Sequence, residues 1–150
     1  MKPARVYVDT SVIGGCLDEE FAGESGALFQ QAREGSMIQL VSDLTLAELE
    51  LAPQPVREIL TTVPRRFVEG IEVSEESRRL QSEYLKGKVL EASQANDAHH
   101  VALATIARAD LLVSWNFKHL VRWAKIRLFN SVNLREGYPV IEIRSPREVV

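Results

Sequence analysis

Ala4-Arg5-Val6-Tyr7-Val8-Asp9-Thr10-Ser11 is the stretch that decides the architecture. Residues 4–8 are short, apolar and β-branched, and Pro3 and Asp9-Thr10-Ser11 bound them, so they predict a buried strand. Asp9 ends that run, where an acid is a poor choice for folding. Burying a carboxylate costs free energy unless something positive meets it. Two more acids share this peculiarity: Glu48 lies on the apolar side of Leu44-Ala47-Leu51, and Asp97 opens the stretch Ala98 to Arg108. No lysine or arginine matches any of them nearby. Three carboxylates so placed suggest a hard, oxygen-loving metal ion.

The rest of the chain alternates strands with helices. A short helix is expected from Ser11, broken near Gly14-Gly15, and a longer one from Phe21 to Arg33, which Gly35 stops. Met37 to Val41 is the second predicted strand. Ser42 and Asp43 are suited to cap Leu44 to Leu51, and a short helix spans Val56 to Thr62 beyond Pro53 and Pro55. Ile71 to Val73 is the third strand. Ser74 caps Glu75 to Lys86, and Asn96 caps Asp97 to Arg108. Leu111 to Ser114 is the fourth strand, and Phe117 starts another helix. Lys125 to Arg135 is weakly helical, and Val140 to Ile143 is a last, edge strand.

Such alternation implies an α/β fold: a three-layer α/β/α sandwich with a central, mainly parallel sheet. Sites in such sheets lie at the carboxyl ends of the strands. Asp9 and Asn116 each follow a strand, and Glu48 and Asp97 lie early in helices leaving the same edge. The four side chains are therefore expected to converge.

At 150 residues, 45% hydrophobic and 26% charged, the chain fits one globular domain, residues 1–150. No apolar run approaches the roughly 20 residues of a membrane span. Met1-Lys2-Pro3-Ala4 leads straight into a strand pattern, so no export leader is expected. Cys16 is the single cysteine and rules out an internal disulfide. Cytoplasmic residence is the expectation. The net charge of −3 conceals an asymmetry: residues 1–60 hold ten acids and four bases, residues 61–150 eleven acids and fourteen bases. Arg108, Lys118, Arg122, Lys125 and Arg127 form a local basic stretch, which suits phosphates or is merely a solvated helix face.

Mg²⁺ or Mn²⁺ matches carboxylate and amide oxygens. Zinc would recruit histidine or cysteine at short spacings, but His99 and His100 are adjacent, His119 is distant and Cys16 is alone. A Mg²⁺ or Mn²⁺ cluster suits phosphodiester hydrolysis without a protein nucleophile. The chain has no G-x-x-x-x-G-K-[ST] loop, no G-x-S-x-G elbow and no second acid two residues after Asp9, which argues against three other chemistries. Thr10, Ser11 and Ser114 offer hydroxyls that either orient water and phosphate or satisfy loop backbone. His100 lies one turn after Asp97 and reads as a packed helix residue or a substrate contact. Trp115 and Phe117 read as packing or as base-stacking residues.

Four segments in order resemble the PIN domain family: Val6-Tyr7-Val8-Asp9-Thr10-Ser11, Ser42-Asp43-Leu44-Thr45-Leu46-Ala47-Glu48-Leu49, Asn96-Asp97-Ala98-His99-His100-Val101-Ala102-Leu103-Ala104 and Leu112-Val113-Ser114-Trp115-Asn116-Phe117-Lys118-His119-Leu120. The resemblance spans nearly the whole chain and implies a metal-dependent endoribonuclease. It places Asp9, Glu48 and Asp97 as metal-holding, catalytic acids. The family often has a fourth acid where this chain has Asn116, which keeps an oxygen but removes a charge. Lys118 and Arg122, with Thr10, Ser11 and Ser114, are the expected RNA-binding residues. The resemblance also implies a toxin of the VapC type with a small antitoxin partner, and a homodimer. The Asn116 departure motivates a second reading, a PIN-like module with a weakened site that binds RNA or protein.

Overall fold

The apolar run at the start of the chain is β1 (Ala4–Val8), the middle strand of a five-stranded sheet in the computed structural model, which describes residues 2–150. Met1, where the leader reading begins, lies outside the described residues. The other strands are β2 (Met37–Ser42), β3 (Val68–Ile71), β4 (Leu111–Val113) and β5 (Ile143–Arg144). Their order is β3-β2-β1-β4-β5, and every neighbouring pair is parallel. In register, Tyr7 stands beside Leu40 on one side and Leu112 on the other.

Among the described residues, seven α-helices cover the two faces: α1 (Thr10–Gly15), α2 (Ala22–Arg33), α3 (Asp43–Glu50), α4 (Gln54–Thr61), α5 (Glu75–Lys86), α6 (Ala95–Ile106) and α7 (Trp123–Arg135). Alternate strand residues divide between two cores, as the period of two requires. Tyr7, Leu40, Leu112 and Ile143 pack with Leu80 and Tyr84 of α5, Val101 of α6 and Phe129 of α7. Val6, Val8, Val41 and Val113 pack with Val12 and Ile13 of α1, Leu28 and Phe29 of α2 and Leu49 of α3. The result is the expected three-layer α/β/α sandwich.

Several boundaries differ from the sequence reading, each for a local reason. The third strand lies at Val68–Ile71 rather than 71–73, because its register on Gln39–Ser42 outweighs the low strand preference of Gly70. α6 begins at Ala95 rather than Asp97. A tight turn over residues 92–94, closed by reciprocal bonds of Glu91 and Gln94, sets its start before Asn96. No helix starts at Phe117. The chain instead folds back on Asn116, whose carbonyl accepts from Leu120 and Val121, and α7 opens at Trp123. The last strand is shorter than expected. The Asn130 amide occupies both backbone groups of Ile141, leaving Ile143 and Arg144 to pair with β4.

Both borders of the sheet are modest. β5 contributes two residues, and β3 carries Gly70 and Glu69, the latter tied across to Arg5 at 2.5 Å. No helix among the described residues is long and apolar enough to cross a membrane.

Candidate active site at the carboxyl edge of the sheet

The strand order reverses direction between β1 and β4, and doubly wound sheets hold ligands in the crevice at such a point. Asp9 leaves β1 at this crevice and caps α1, its Oδ1 accepting from the backbone N–H of Val12 at 3.3 Å. The same oxygen accepts from the Ser11 hydroxyl at 2.6 Å, and Oδ2 accepts from the Ser114 hydroxyl at 2.6 Å. Asp9 is buried, and every donor it meets is neutral. Burial pushes its carboxyl above the usual aspartate range, against the pull of His100 and the two serines.

The loop after β4 supplies the opposite wall. Ser114 gives its proton to Asp9 and accepts from the backbone N–H of Asn116 at 2.9 Å. Ser11 likewise accepts from the N–H of Trp115 at 2.9 Å, so two hydroxyls lock this loop onto the start of α1. Asn116 donates from Nδ2 to Asp97 Oδ2 at 3.2 Å, and its Oδ1 accepts from the backbone N–H of His119 at 2.9 Å. Burial raises the Asp97 carboxyl, and the nearby Glu48 adds to the rise, against His119, His100 and Asn116.

Glu48 projects from α3, which Ser42 caps by accepting from Thr45 N–H at 3.1 Å. Its Oε1 accepts from the Thr10 hydroxyl at 2.7 Å and faces His100 Nε2 at 2.7 Å. Burial pushes its carboxyl up, but the bonds from His100 and Thr10 outweigh that and leave it below the usual glutamate range. The other ring nitrogen of His100, Nδ1, lies 2.7 Å from the Tyr7 hydroxyl, which in turn meets Ser42 Oγ at 2.7 Å. His100 thus bridges Glu48 and Tyr7, one ring nitrogen to each.

All four expected site residues line one edge: Asp9, Asn116 and Asp97 are joined through Ser114, while Glu48 stands close enough to raise Asp97 and bonds separately to Thr10 and His100. Among the described residues, however, no group of three or more acidic, histidine or cysteine side chains is arranged to hold a metal ion. Each acid is turned onto its own donors: Asp9 onto two serines, Glu48 onto Thr10 and His100, Asp97 onto Asn116. The donor set itself is all oxygen and suits a hard cation.

The hydroxyl residues divide. Ser114 is fully buried with its proton on Asp9, so it orients that carboxylate and does not reach a substrate. Thr10 and Ser11 also hold acids. Asn116 uses one lone pair of its oxygen to cap the following turn, accepting from His119 N–H, while its amide nitrogen holds Asp97. Lys118 and Arg122 are exposed beside the edge. Trp115 is buried, stacked on Phe21 with centroids 4.1 Å apart, while Phe117 is exposed. The sequence reading left His100 undecided and did not single out Tyr7. The available signal was position: His100 lies three residues after Asp97 on one helix, and Tyr7 faces the layer containing that helix.

No family model matches the chain, and no curated protein matches it in sequence. Solved structures do resemble it. VapBC2 from Rickettsia felis, bound to a DNA fragment from its promoter, is 16% identical with a TM-score of 0.57, covering 94% of this chain and 98% of that one. VapC20 of Mycobacterium tuberculosis, described as a sarcin–ricin loop-cleaving toxin, is 16% identical with a TM-score of 0.56, covering 76% of this chain and 92% of that one. The PIN domain endonuclease Utp24 is 19% identical with a TM-score of 0.50, covering 97% of this chain and 86% of that one. The chain has the PIN fold. At this level of identity the likeness concerns architecture. Within the PIN fold, the acids that the sequence singled out occupy the crevice where β1 and β4 diverge.

Proposed function

We propose that this PIN-fold protein is a Mg²⁺- or Mn²⁺-dependent endoribonuclease and the toxin of a toxin–antitoxin pair. One observation carries the reading: the buried Asp9 carboxylate meets only neutral donors at the topological switch point, with Asp97 joined to it through Ser114 and Asn116. A buried charge without a cationic partner is costly, and a divalent cation removes that cost. When bound, the ion supplies Lewis-acid polarisation of a phosphodiester oxygen and an acidified water.

Asp9, Asp97 and Glu48 are the residues that would hold the ion, once Glu48 or Asp97 turns from its present partner. Ser11 and Ser114 fix the Asp9 carboxylate, and His100 with Thr10 fixes that of Glu48. Lys118 and Arg122 neutralise the phosphates of the bound strand. Similarity to a VapBC assembly and to VapC20 supports an antitoxin partner and an RNA target. A homodimer acting in the cytoplasm completes the reading.

The test is cleavage of a structured and an unstructured RNA by the purified protein with Mg²⁺, Mn²⁺ or excess EDTA. Cleavage should require metal and vanish in Asp9→Asn and Asp97→Asn. Mn²⁺ at about 100 times its Kd should also stabilise the wild type by about 2.7 kcal/mol, an effect the Asp9→Asn protein should lose. Equal cleavage in EDTA would refute the metal-dependent reading.

The replacement of the family's fourth acid by Asn116 favours a second reading, a PIN-fold module that binds RNA and no longer cuts it. Salt-sensitive RNA binding without cleavage in either metal would select it.

A further inference from the structure

The loop after α5 and the loop after β4 enclose a cleft of about 750 Å³ beside the acid edge. Its walls carry Lys88, Lys118, His119, Arg122 and Lys125, and Glu91 is the one acid among its lining residues. Lys88, Lys118 and Arg122 are exposed and enter no ion pair among the described residues. Lys125 serves differently: its ammonium donates to the Val89 carbonyl at 2.7 Å and ties α7 to the loop after α5. That bond joins the two walls of the cleft. Lys88 is presented from a left-handed turn, φ 58°, just after Gly87 ends α5.

The cleft runs into the acid edge at two places. Gln94 and Ala92 line both the cleft and a small hollow that reaches Asp97. On the other wall, His119 lines the cleft while its backbone N–H bonds Asn116, the residue that holds Asp97. A chain lying in the cleft therefore emerges at Asp97.

We infer that this cleft is a binding site for the phosphate backbone of a single RNA strand, seating the nucleotides that flank the cut. The inference rests on the proposed RNA substrate. Three cations that enter no ion pair among the described residues suit a polyanion. No phenylalanine, tyrosine or tryptophan lines the cleft, and stacking of a base on His119 or Arg122 would be tolerant of sequence. The cleft grips phosphates and reads no sequence, so any sequence preference arises elsewhere on the protein.

The test measures anisotropy of a fluorescent single-stranded RNA on the full-length protein in EDTA, which separates binding from cutting. Lys88→Glu, Lys118→Glu and Arg122→Glu should each weaken binding about tenfold. Each should also lower the slope of log K against log salt by about 0.7, one phosphate contact on a single strand. The milder Lys88→Gln, Lys118→Gln and Arg122→Gln should shift both in the same direction with unchanged circular dichroism. Oligo(A) and oligo(U) should bind alike, and Asp97→Asn should bind at least as well as the wild type.

If all three charge reversals bind as the wild type with unchanged salt slope, the cleft is not the RNA site, whether or not the protein cuts RNA. A strong preference for one homopolymer would overturn the backbone-only reading. Displacement of the RNA by polyglutamate at matched charge and lower concentration would assign the cleft to an acidic polypeptide and overturn the proposal. Loss of RNA binding in these variants, with a wild type that never cleaves with Mn²⁺, would refute the nuclease and leave the cleft standing.

Discussion

His100 Nε2 and Glu48 Oε1 face each other at 2.7 Å, linking α6 to α3 above the end of the central strand. Because Tyr7 holds the other ring nitrogen, the imidazole is fixed at both ends and Glu48 is aimed by it. Replacing His100 by alanine removes one of the two partners of both the partly buried Glu48 carboxylate and the buried Tyr7 hydroxyl, leaving them Thr10 and Ser42. We expect His100→Ala to lose about 1–3 kcal/mol in urea denaturation. His100→Gln, which retains a donor, should recover part of that. An alanine variant as stable as the wild type would show that the bridge does not hold the two helices.

Asp9 and Glu48 should respond to pH in opposite senses. In metal-free protein the Asp9 carboxyl is raised by burial, so its favourable contribution is complete below the ordinary aspartate pKa and is lost as pH rises through the raised value. The stability gain of Asp9→Asn over the wild type should thus be absent in acid and grow towards neutrality. The Glu48 carboxyl is lowered overall, although burial alone would raise it, so its contribution is present above the ordinary glutamate pKa and lost as pH falls through the lowered value. Glu48→Gln should cost more at neutral pH than in acid. Urea titrations over a pH series in EDTA measure both, and matching slopes for the two variants would contradict this assignment.

Gln39 sits in mid-β2, fully buried, and neither end of its amide has a partner among the described residues. Its neighbours on the same face are Met37 and Val41 of the core beneath α1 and α2. Gln39→Met keeps the length of the side chain and removes two unpaired polar groups. We expect a gain of about 1–2 kcal/mol, read as a higher denaturation midpoint with an unchanged m-value. A loss would mean that a buried water serves the amide.

Gly15 ends α1 where a side chain has no room. A Cβ there would stand 2.6 Å from both Ser25 Oγ and Trp115 Nε1. Those two atoms bond each other at 2.8 Å, and Ser25 also donates to the Val12 carbonyl at 2.8 Å. Gly15→Ala should therefore cost about 1–3 kcal/mol and disturb the near-ultraviolet signal of Trp115. Gly14→Ala, with nothing within 4 Å of its Cβ, is the neutral control.

The strands and the acids were legible because each breaks or keeps a simple pattern. Asp9 interrupts an apolar run, and Ser42 announces α3 by capping chemistry. Less legible was what each side chain would face. Ser114 read as a loop hydroxyl open to several roles, yet it is buried with its single proton on Asp9. Asn116 read as a spare oxygen, yet that oxygen closes a turn on His119. His100 stayed open between packing and substrate contact because sequence spacing shows helix faces and not what crosses from β1 and α3. The boundaries that moved, such as α6 at Ala95 and β5 at Ile143, depend on partners distant in sequence or on turns built by side chains.

The two-residue β5 and the glycine-bearing β3 bound the sheet on either side. Short borders with charge and glycine offer a poor template for an incoming chain. Growth of the sheet across two molecules is thereby discouraged, which leaves helical surfaces as the freer ground for any contact between copies. Exposed Trp123 and Leu134 on α7 lie on such a surface.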